Sequence, residues 1–60
     1  MATFQIFQSS GQYWYHLRAD NGEIIGRSEK YTTAQARDHG LQVVLREAPE
    51  APVEDLHLVV

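Results

Sequence analysis

The sequence predicts one α+β domain, covering residues 1–60, with three antiparallel strands followed by a helix and a fourth strand. Two observations lead to this prediction. The first half of the chain alternates apolar and polar side chains with a period of two, and turns containing glycine interrupt it. The second half has apolar side chains at helical spacing, and two prolines follow them.

The first two strands are predicted from alternation. TFQIFQ, residues 3–8, alternates apolar and polar side chains, and the turn residues Ser-Ser-Gly follow it. QYWYHLRA, residues 12–19, is rich in aromatic side chains, which favour strands. The alternation predicts that Trp14, His16 and Arg18 share one face of this second strand and that its other face is directed towards the core.

The third strand is predicted from EIIGRS, residues 23–28, which follows an Asn-Gly pair. Asn21 and Gly22 both tolerate the positive φ angles of a type I′ turn, so the pair between two strand-like runs predicts a hairpin. Strands one to three therefore form an antiparallel meander.

One helix is predicted from Thr33 to Glu47. Thr32 offers an N-cap hydroxyl and Gln35 lies three residues later, as a capping box requires. Gly40 is explained by close packing against the sheet. The stem of Arg37 is expected along the edge of the core, with its guanidinium reaching water. The apolar stripe of the helix consists of Ala36, Gly40, Leu41, Val44 and Ala48.

The prolines of EAPEAP end the helix, and VEDLHLVV, residues 53–60, reads as a fourth strand. The predicted inward face of that strand carries Leu56, Leu58 and Val60. Two alternatives are open for this strand: it passes to a neighbouring subunit, or it folds back on its own subunit. A proline-containing link disfavours a tight local return, which favours the first alternative. A chain of this length without cysteine needs a partner for stability, which also favours the first alternative.

The chain resembles the YegP-like family of short proteins over nearly its whole length, from Phe4 to about Asp55. The residues that carry the resemblance are Tyr13, Leu17, Ala19, Asn21-Gly22-Glu23, Ile25, Ser28-Glu29, Tyr31-Thr32, Gly40-Leu41, Val44 and Ala48-Pro49. The resemblance implies a β3-α-β unit that occurs twice in tandem or once per subunit. Two such units are expected to form one antiparallel sheet, with the helices on one face and the C-terminal strands exchanged. One copy implies a homodimer, and the family supplies no catalytic residues.

Composition and charge argue against several classes of protein. The formal net charge is -3 and the five basic residues are scattered, which disfavours nucleic acid as a partner. The start of the chain does not resemble a signal peptide, and no stretch is apolar enough to span a membrane. A cytoplasmic protein without a membrane partner is therefore the expectation.

No motif predicts catalysis, a cofactor or a metal. His16, His39 and His57 do not have metal-ligand spacing, and His16 and His57 are expected to face solvent. GRSEK is not a nucleophile elbow, so Ser28 is expected to bond to its own backbone.

The preferred hypothesis is an interaction or accessory module. Trp14, His16 and Arg18 form its sheet surface, and Val43 and Leu45 of the helix either extend an apolar patch with Trp14 or flank the dimer core. One alternative is a ligand-binding or enzymatic site at the dimer interface, lined by His16, Arg18 and Tyr31. A weaker alternative is binding of single-stranded nucleic acid on the face that carries Trp14.

Overall fold

The computed structural model describes residues 1–57 and contains an antiparallel sheet with strand order β1-β2-β3 and one long helix. This arrangement confirms the predicted α+β class. The elements are β1 (Thr3–Ser9), β2 (Gln12–Arg18), β3 (Ile24–Arg27), the helix α1 (Ala34–Glu47) and a 3₁₀ turn, Ala48–Glu50, that extends the helix.

The turn between β1 and β2 is a two-residue hairpin loop. Ser9 pairs with Gln12, which leaves Ser10 and Gly11 as the loop. Their φ angles are 51° and 74°. Two consecutive positive φ angles are the signature of the type I′ turn, whose twist matches that of the flanking strands.

The turn between β2 and β3 has a different geometry from the predicted one. Gly22 has a φ of 91°, but Asn21 does not have a positive φ. The amide of Gly22 donates to the carbonyl of Ala19, and the Asn21 side chain accepts from the amide of Glu23. The hairpin is therefore confirmed and the type I′ turn at Asn21-Gly22 is wrong, because Asn21 is used as an Asx turn.

A β-bulge lies in β3. The neighbouring residues Leu17 and Arg18 of β2 pair with residues two positions apart, so Ile25 is left over. An extra residue resets the alternation of side chains along the strand. Ile24 and Arg27 consequently point to the same face of the sheet, although they are three positions apart.

The N-cap of α1 is Thr33. Its hydroxyl accepts a hydrogen bond of 3.0 Å from the amide of Ala36, and its backbone is extended. The prediction of Thr32 as the N-cap is wrong by one residue. Position N3 is therefore Ala36 and not a glutamine, so the predicted capping box does not form.

Replacing Thr33 with alanine is expected to destabilise the fold by about 1 kcal/mol, because the amide of Ala36 loses its acceptor. Thr32→Ala is the matched control, and it should change the free energy of unfolding by less than half as much. Urea unfolding at one fixed protein concentration measures both. Equal effects of the two substitutions would contradict the assignment.

Helix α1 covers the sheet face that carries Tyr13, Tyr15 and Leu17. Gly40 lies close to Tyr31, because a Cβ built on it would lie 2.5 Å from the Tyr31 hydroxyl. Close packing at Gly40 is thereby confirmed, but it is against Tyr31, which is bridged to β2, and not against a strand of the sheet. The immediate neighbour of Gly40 is an aromatic side chain from the segment that leads into the helix.

The side chain of Arg37 is buried, contrary to the prediction that its guanidinium reaches water. Its exposed fraction is 7%. One guanidinium nitrogen donates to the carbonyl of Phe7 at 3.1 Å, and Nε donates to Asp38 at 2.9 Å. The guanidinium lies 5.6 Å from the centre of the Tyr13 ring. The carbonyl of Phe7 in β1 and an aromatic face thus keep the cation inside.

The predicted fourth strand does not form in the described residues. Residues 51–57 have no regular secondary structure, and Val53 and Leu56 are 97% and 67% exposed. A strand requires a neighbour that accepts and donates its backbone hydrogen bonds, and no sheet edge within residues 1–57 pairs with this segment. Leu58 and Val60, the other two residues of the predicted inward face, lie outside the described residues.

Candidate interaction surface

The sheet face opposite α1 combines aromatic and basic side chains. We call it the open face and define it by Gln5, Phe7, Trp14, His16, Arg18, Ile24, Arg27 and Lys30. A depression of about 410 Å³ lies on it. The predicted grouping of Trp14, His16 and Arg18 on one side of β2 agrees with this arrangement.

Trp14 is half-buried in the middle of the open face. Its ring stacks on Phe7 of β1, with centroids 5.5 Å apart and an angle of 14° between the planes. The ammonium of Lys30 lies 4.6 Å from the ring centre. Because β1 lies on one side of β2 and Lys30 lies beyond the other side, the indole is contacted from both directions.

His16 is buried, contrary to the prediction that it faces solvent. Its exposed fraction is 8%. Nε2 of His16 lies 2.7 Å from the side-chain oxygen of Gln5. The centre of the imidazole ring lies 4.6 Å from the centre of the Phe7 ring. Arg18 donates to the same Gln5 oxygen at 2.9 Å, which suits a donating Nε2–H on the histidine. Cross-strand neighbours on the same face therefore cover a residue that alternation alone places in water.

The surroundings of His16 disfavour its protonated form. Burial lowers the pKa of its imidazole, and the positive charges of Arg18 and Arg27 lower it further. The imidazole is therefore neutral in the folded protein at a pH where an exposed histidine is partly charged.

Acidification is expected to destabilise the protein through His16. The unfolded chain, with an ordinary pKa of about 6.5, binds the proton more readily than the fold does, so stability falls as the pH drops through that value. Thermal unfolding at a series of pH values down to about 5 measures this effect. The stability advantage of the wild type over His16→Gln should shrink as the pH falls. A constant difference between the two proteins would contradict the prediction.

The structure separates several residues that were predicted to act together. Val43 is half-buried and Leu45 is 54% exposed, but both belong to α1. They therefore lie on the other side of the sheet from Trp14 and do not form one patch with it. Tyr31 stacks on Tyr15 at 6.5 Å beneath α1, so one chain does not bring it to His16 and Arg18.

Sequence analysis missed five members of the open face: Gln5, Phe7, Ile24, Arg27 and Lys30. Phe7 was not assigned to it, although it alternates with the inward residues of β1. Arg27 reaches it because of the bulge at Ile25, which Gly26, an isolated glycine inside the strand, could have indicated. Lys30 reaches it because the next residue, Tyr31, forms a β-bridge with Tyr13 of β2.

A second surface feature is an apolar groove beside α1. Its volume is about 400 Å³, and its lining residues are Ala2, Phe4, Leu17, Val44, Leu45, Ala48 and Pro49. Leu45 thus faces the same groove as Phe4 and Leu17. This side of the sheet is only partly covered by the helix.

Residues 1–57 contain neither a metal-binding cluster nor a membrane-spanning helix. Within this range, no three histidine or acidic side chains are grouped so that they could hold a metal ion. The helix of the described part is too short and too polar to cross a membrane.

The fold and the open face define a small α+β domain: a three-stranded meander covered by one helix on one side. A family model described as "Domain of unknown function (DUF1508)" matches residues 8–55, which is most of the chain. The chain belongs to this family. This agrees with the resemblance to YegP-like proteins found in the sequence.

Curated relatives from bacteria match the chain over about three quarters of its length. A UPF0339 protein of Bordetella pertussis is 51% identical over 45 residues, covering 75% of this chain and 40% of the relative. The UPF0339 protein YegP of Escherichia coli is 38% identical over 47 residues, covering 78% of this chain and 43% of the relative. The chain thus spans about two fifths of the length of these relatives.

A solved structure of similar size has the same fold. It is described as the "NMR solution structure of the protein from Haloferax volcanii", with a TM-score of 0.77 and 33% sequence identity. The match covers 92% of this chain and 95% of that one. The two chains therefore correspond over nearly the whole of the compared lengths.

Proposed function

We propose that this chain is a homodimeric interaction module of the cytoplasm, with one side of its sheet buried in the dimer and the open face available to a partner. The observation that carries the proposal is the contrast between the two sides. The side that carries α1 has an apolar groove, whereas the other side has aromatic and basic groups around a depression.

The amount of exposed surface supports a dimer. The chain exposes 5210 Å², whereas a compact monomer of this mass is expected to expose about 4000 Å². The excess is larger than the roughly 800 Å² that each partner buries in a standard protein interface. A second subunit that covers such an area would remove the excess.

The small hydrophobic core of the single chain also supports a dimer. Among residues 1–57, Tyr15 is the only apolar side chain that is classed as buried. Phe4 and Leu17, on the same side of the sheet, are half-buried and line the apolar groove. We propose that the C-terminal segment of a second subunit, with Leu56, Leu58 and Val60, exchanges onto this side. The larger size of the curated relatives suits two such units in one chain.

The mass of the protein in solution tests the dimer. Light scattering at micromolar concentration should give twice the mass of one chain. Leu56→Asp should yield monomers and lower the unfolding temperature by more than 10 °C, roughly the effect of losing 2 kcal/mol or more in a domain this small. His57→Asp alters the adjacent position on the other face of the proposed strand and is the control. A monomeric wild type would refute the dimer.

The role of the open face is tested separately. Proteins retained by immobilised wild type are compared with those retained by Trp14→Ala and by Gln42→Ala, the latter on the exposed surface of α1. Partners that depend on the open face should be lost with Trp14→Ala and kept with Gln42→Ala. Thermal unfolding confirms that each variant is folded. Identical sets from all three proteins would refute an interaction role for this face.

A further inference from the structure

The open face concentrates the unneutralised positive charge of the chain. The protein has five lysine and arginine residues against eight acidic ones. Arg37 and Arg46 each form an ion pair with the next residue along the helix. The three others, Arg18, Arg27 and Lys30, belong to the open face, and none of them forms an ion pair within the described residues. An acidic chain thus has one basic surface.

The depression on the open face has the size and composition of a small-molecule site. Its volume of about 410 Å³ lies within the range of ligand pockets. Arg27 and Lys30 line it, and its apolar lining consists of Phe7, Trp14 and Ile24. No carboxylate is among the lining residues. Its surroundings therefore suit a ligand with a negative group attached to an apolar body.

No polar group that lines the depression opposes a negatively charged ligand. The hydroxyl of Ser28, also in the lining, already accepts from the amide of Tyr15 and donates to the carbonyl of Glu29. It is therefore committed to the backbone. The ammonium of Lys30 lies over the indole of Trp14 in a cation–π interaction. Such a contact is weak enough for the ammonium to turn towards an anion.

We propose that the open face binds a small organic anion, a phosphate or a carboxylate, with its charged group at Arg27 and Lys30 and its apolar part against Phe7, Trp14 and Ile24. This inference rests on the proposed function in one respect, since it takes the open face to be the working surface. It adds the chemical class of what the face recognises. The net charge of -3 does not oppose it, because charges more than about 10 Å away are largely screened at ordinary ionic strength.

A nucleic acid strand is a less suitable occupant. Single strands are held by stacking on aromatic rings along a basic groove. Here the open face carries one stacked pair of rings, Phe7 and Trp14, beside a single depression. The charged groups also surround one depression and do not follow a path across the sheet. A small anion uses this arrangement better than a polymer does.

Titration of tryptophan fluorescence tests the proposal, because Trp14 is the only tryptophan in the chain. The full-length protein is titrated with phenyl phosphate and with benzoate, which separate the two sources of negative charge. Phenol is the neutral control and inorganic phosphate lacks the apolar part. Saturable binding of at least one aromatic anion, weakened by added salt, is expected, with weaker or no binding of phenol and inorganic phosphate. Isothermal titration calorimetry gives a second readout that does not depend on the indole.

Substitutions locate the site. Arg27→Gln and Lys30→Gln should each weaken binding of the aromatic anion by about tenfold, the effect of losing one charge-assisted hydrogen bond. Arg46→Gln removes the same charge from the exposed surface of the helix and should leave binding unchanged. Equal affinities of the wild type and the Arg27→Gln and Lys30→Gln variants would overturn the proposal.

Two further outcomes would also overturn it. The first is the absence of saturable binding of either aromatic anion at millimolar concentration. The second is binding of oligodeoxythymidylate but of neither aromatic anion, which would indicate a polymer surface. If anions do not bind but partner capture still depends on Trp14, the interaction module stands and the inference about its ligand fails. If capture fails as well, both fail.

Discussion

Gly40→Ala is expected to destabilise the protein by about 2 kcal/mol, because overpacking at so short a contact costs about 3 kcal/mol and the better helix propensity of alanine offsets about 1 kcal/mol. The added Cβ would lie 2.5 Å from the Tyr31 hydroxyl and 3.1 Å from the ring carbon that carries it. The ring cannot easily retreat, because it stacks on Tyr15 and both backbone groups of Tyr31 bond to Tyr13. Urea unfolding at one fixed protein concentration measures the change, since the stability of an oligomer depends on concentration.

A second substitution shows whether the contact is the cause. Tyr31→Phe removes the hydroxyl, the nearest atom to the new methyl group. In that background, Gly40→Ala should cost at least 1 kcal/mol less than in the wild type, which is a coupling typical of residues in contact. His39→Ala, next to Gly40 but exposed, is the control and should change stability little. Independent effects of the two substitutions would show that the contact with Tyr31 does not explain the glycine.

Arg37→Ala is expected to cost about 3 kcal/mol, because it removes a buried side chain together with a charged hydrogen-bond donor. The carbonyl of Phe7 at the end of β1 would lose the guanidinium, and the face of the Tyr13 ring would lose its cation. Arg46→Ala is the matched control. That arginine lies on the same helix but is exposed and paired with Glu47, so its removal should change stability by less than about 0.5 kcal/mol.

Arg37→Met separates packing from hydrogen bonding. Methionine retains most of the apolar stem but cannot donate to the Phe7 carbonyl. It should therefore restore part of the stability that Arg37→Ala loses. Equal stability of Arg37→Ala and Arg46→Ala in urea unfolding would contradict the structural role of the buried guanidinium.

Local sequence patterns sufficed for the order and type of β1, β2, β3 and α1, whereas the predicted fourth strand does not form within residues 1–57. The period of two placed β1 and β2, and the face of β2 that carries Trp14, His16 and Arg18 agrees with the structure. The α1 range agrees to within one residue at its start. These features depend on neighbours along the chain, so side-chain spacing and backbone preference are enough to predict them.

The errors at His16 and Arg37 arose because packing between separate elements decides the burial of these side chains. His16 has the alternation of an exposed residue, but Gln5 and Phe7 of the adjacent strand cover it. Arg37 resembles a residue at the edge of a helix, but a carbonyl of β1, far away in sequence, holds its guanidinium inside. Neither partner is recognisable from local pattern, because the register between strands and the position of the helix bring them together.

By itself, the sequence determined a meander followed by a helix and the membership of a family, and it predicted a partner subunit. Only the tertiary structure decided which charges meet. The bulge at Ile25 turns Arg27 onto the open face, and the bridge between Tyr13 and Tyr31 brings Lys30 over Trp14. A bulge and a bridge are set by hydrogen bonds between strands, so residues scattered in the sequence become one basic surface only after the sheet has formed.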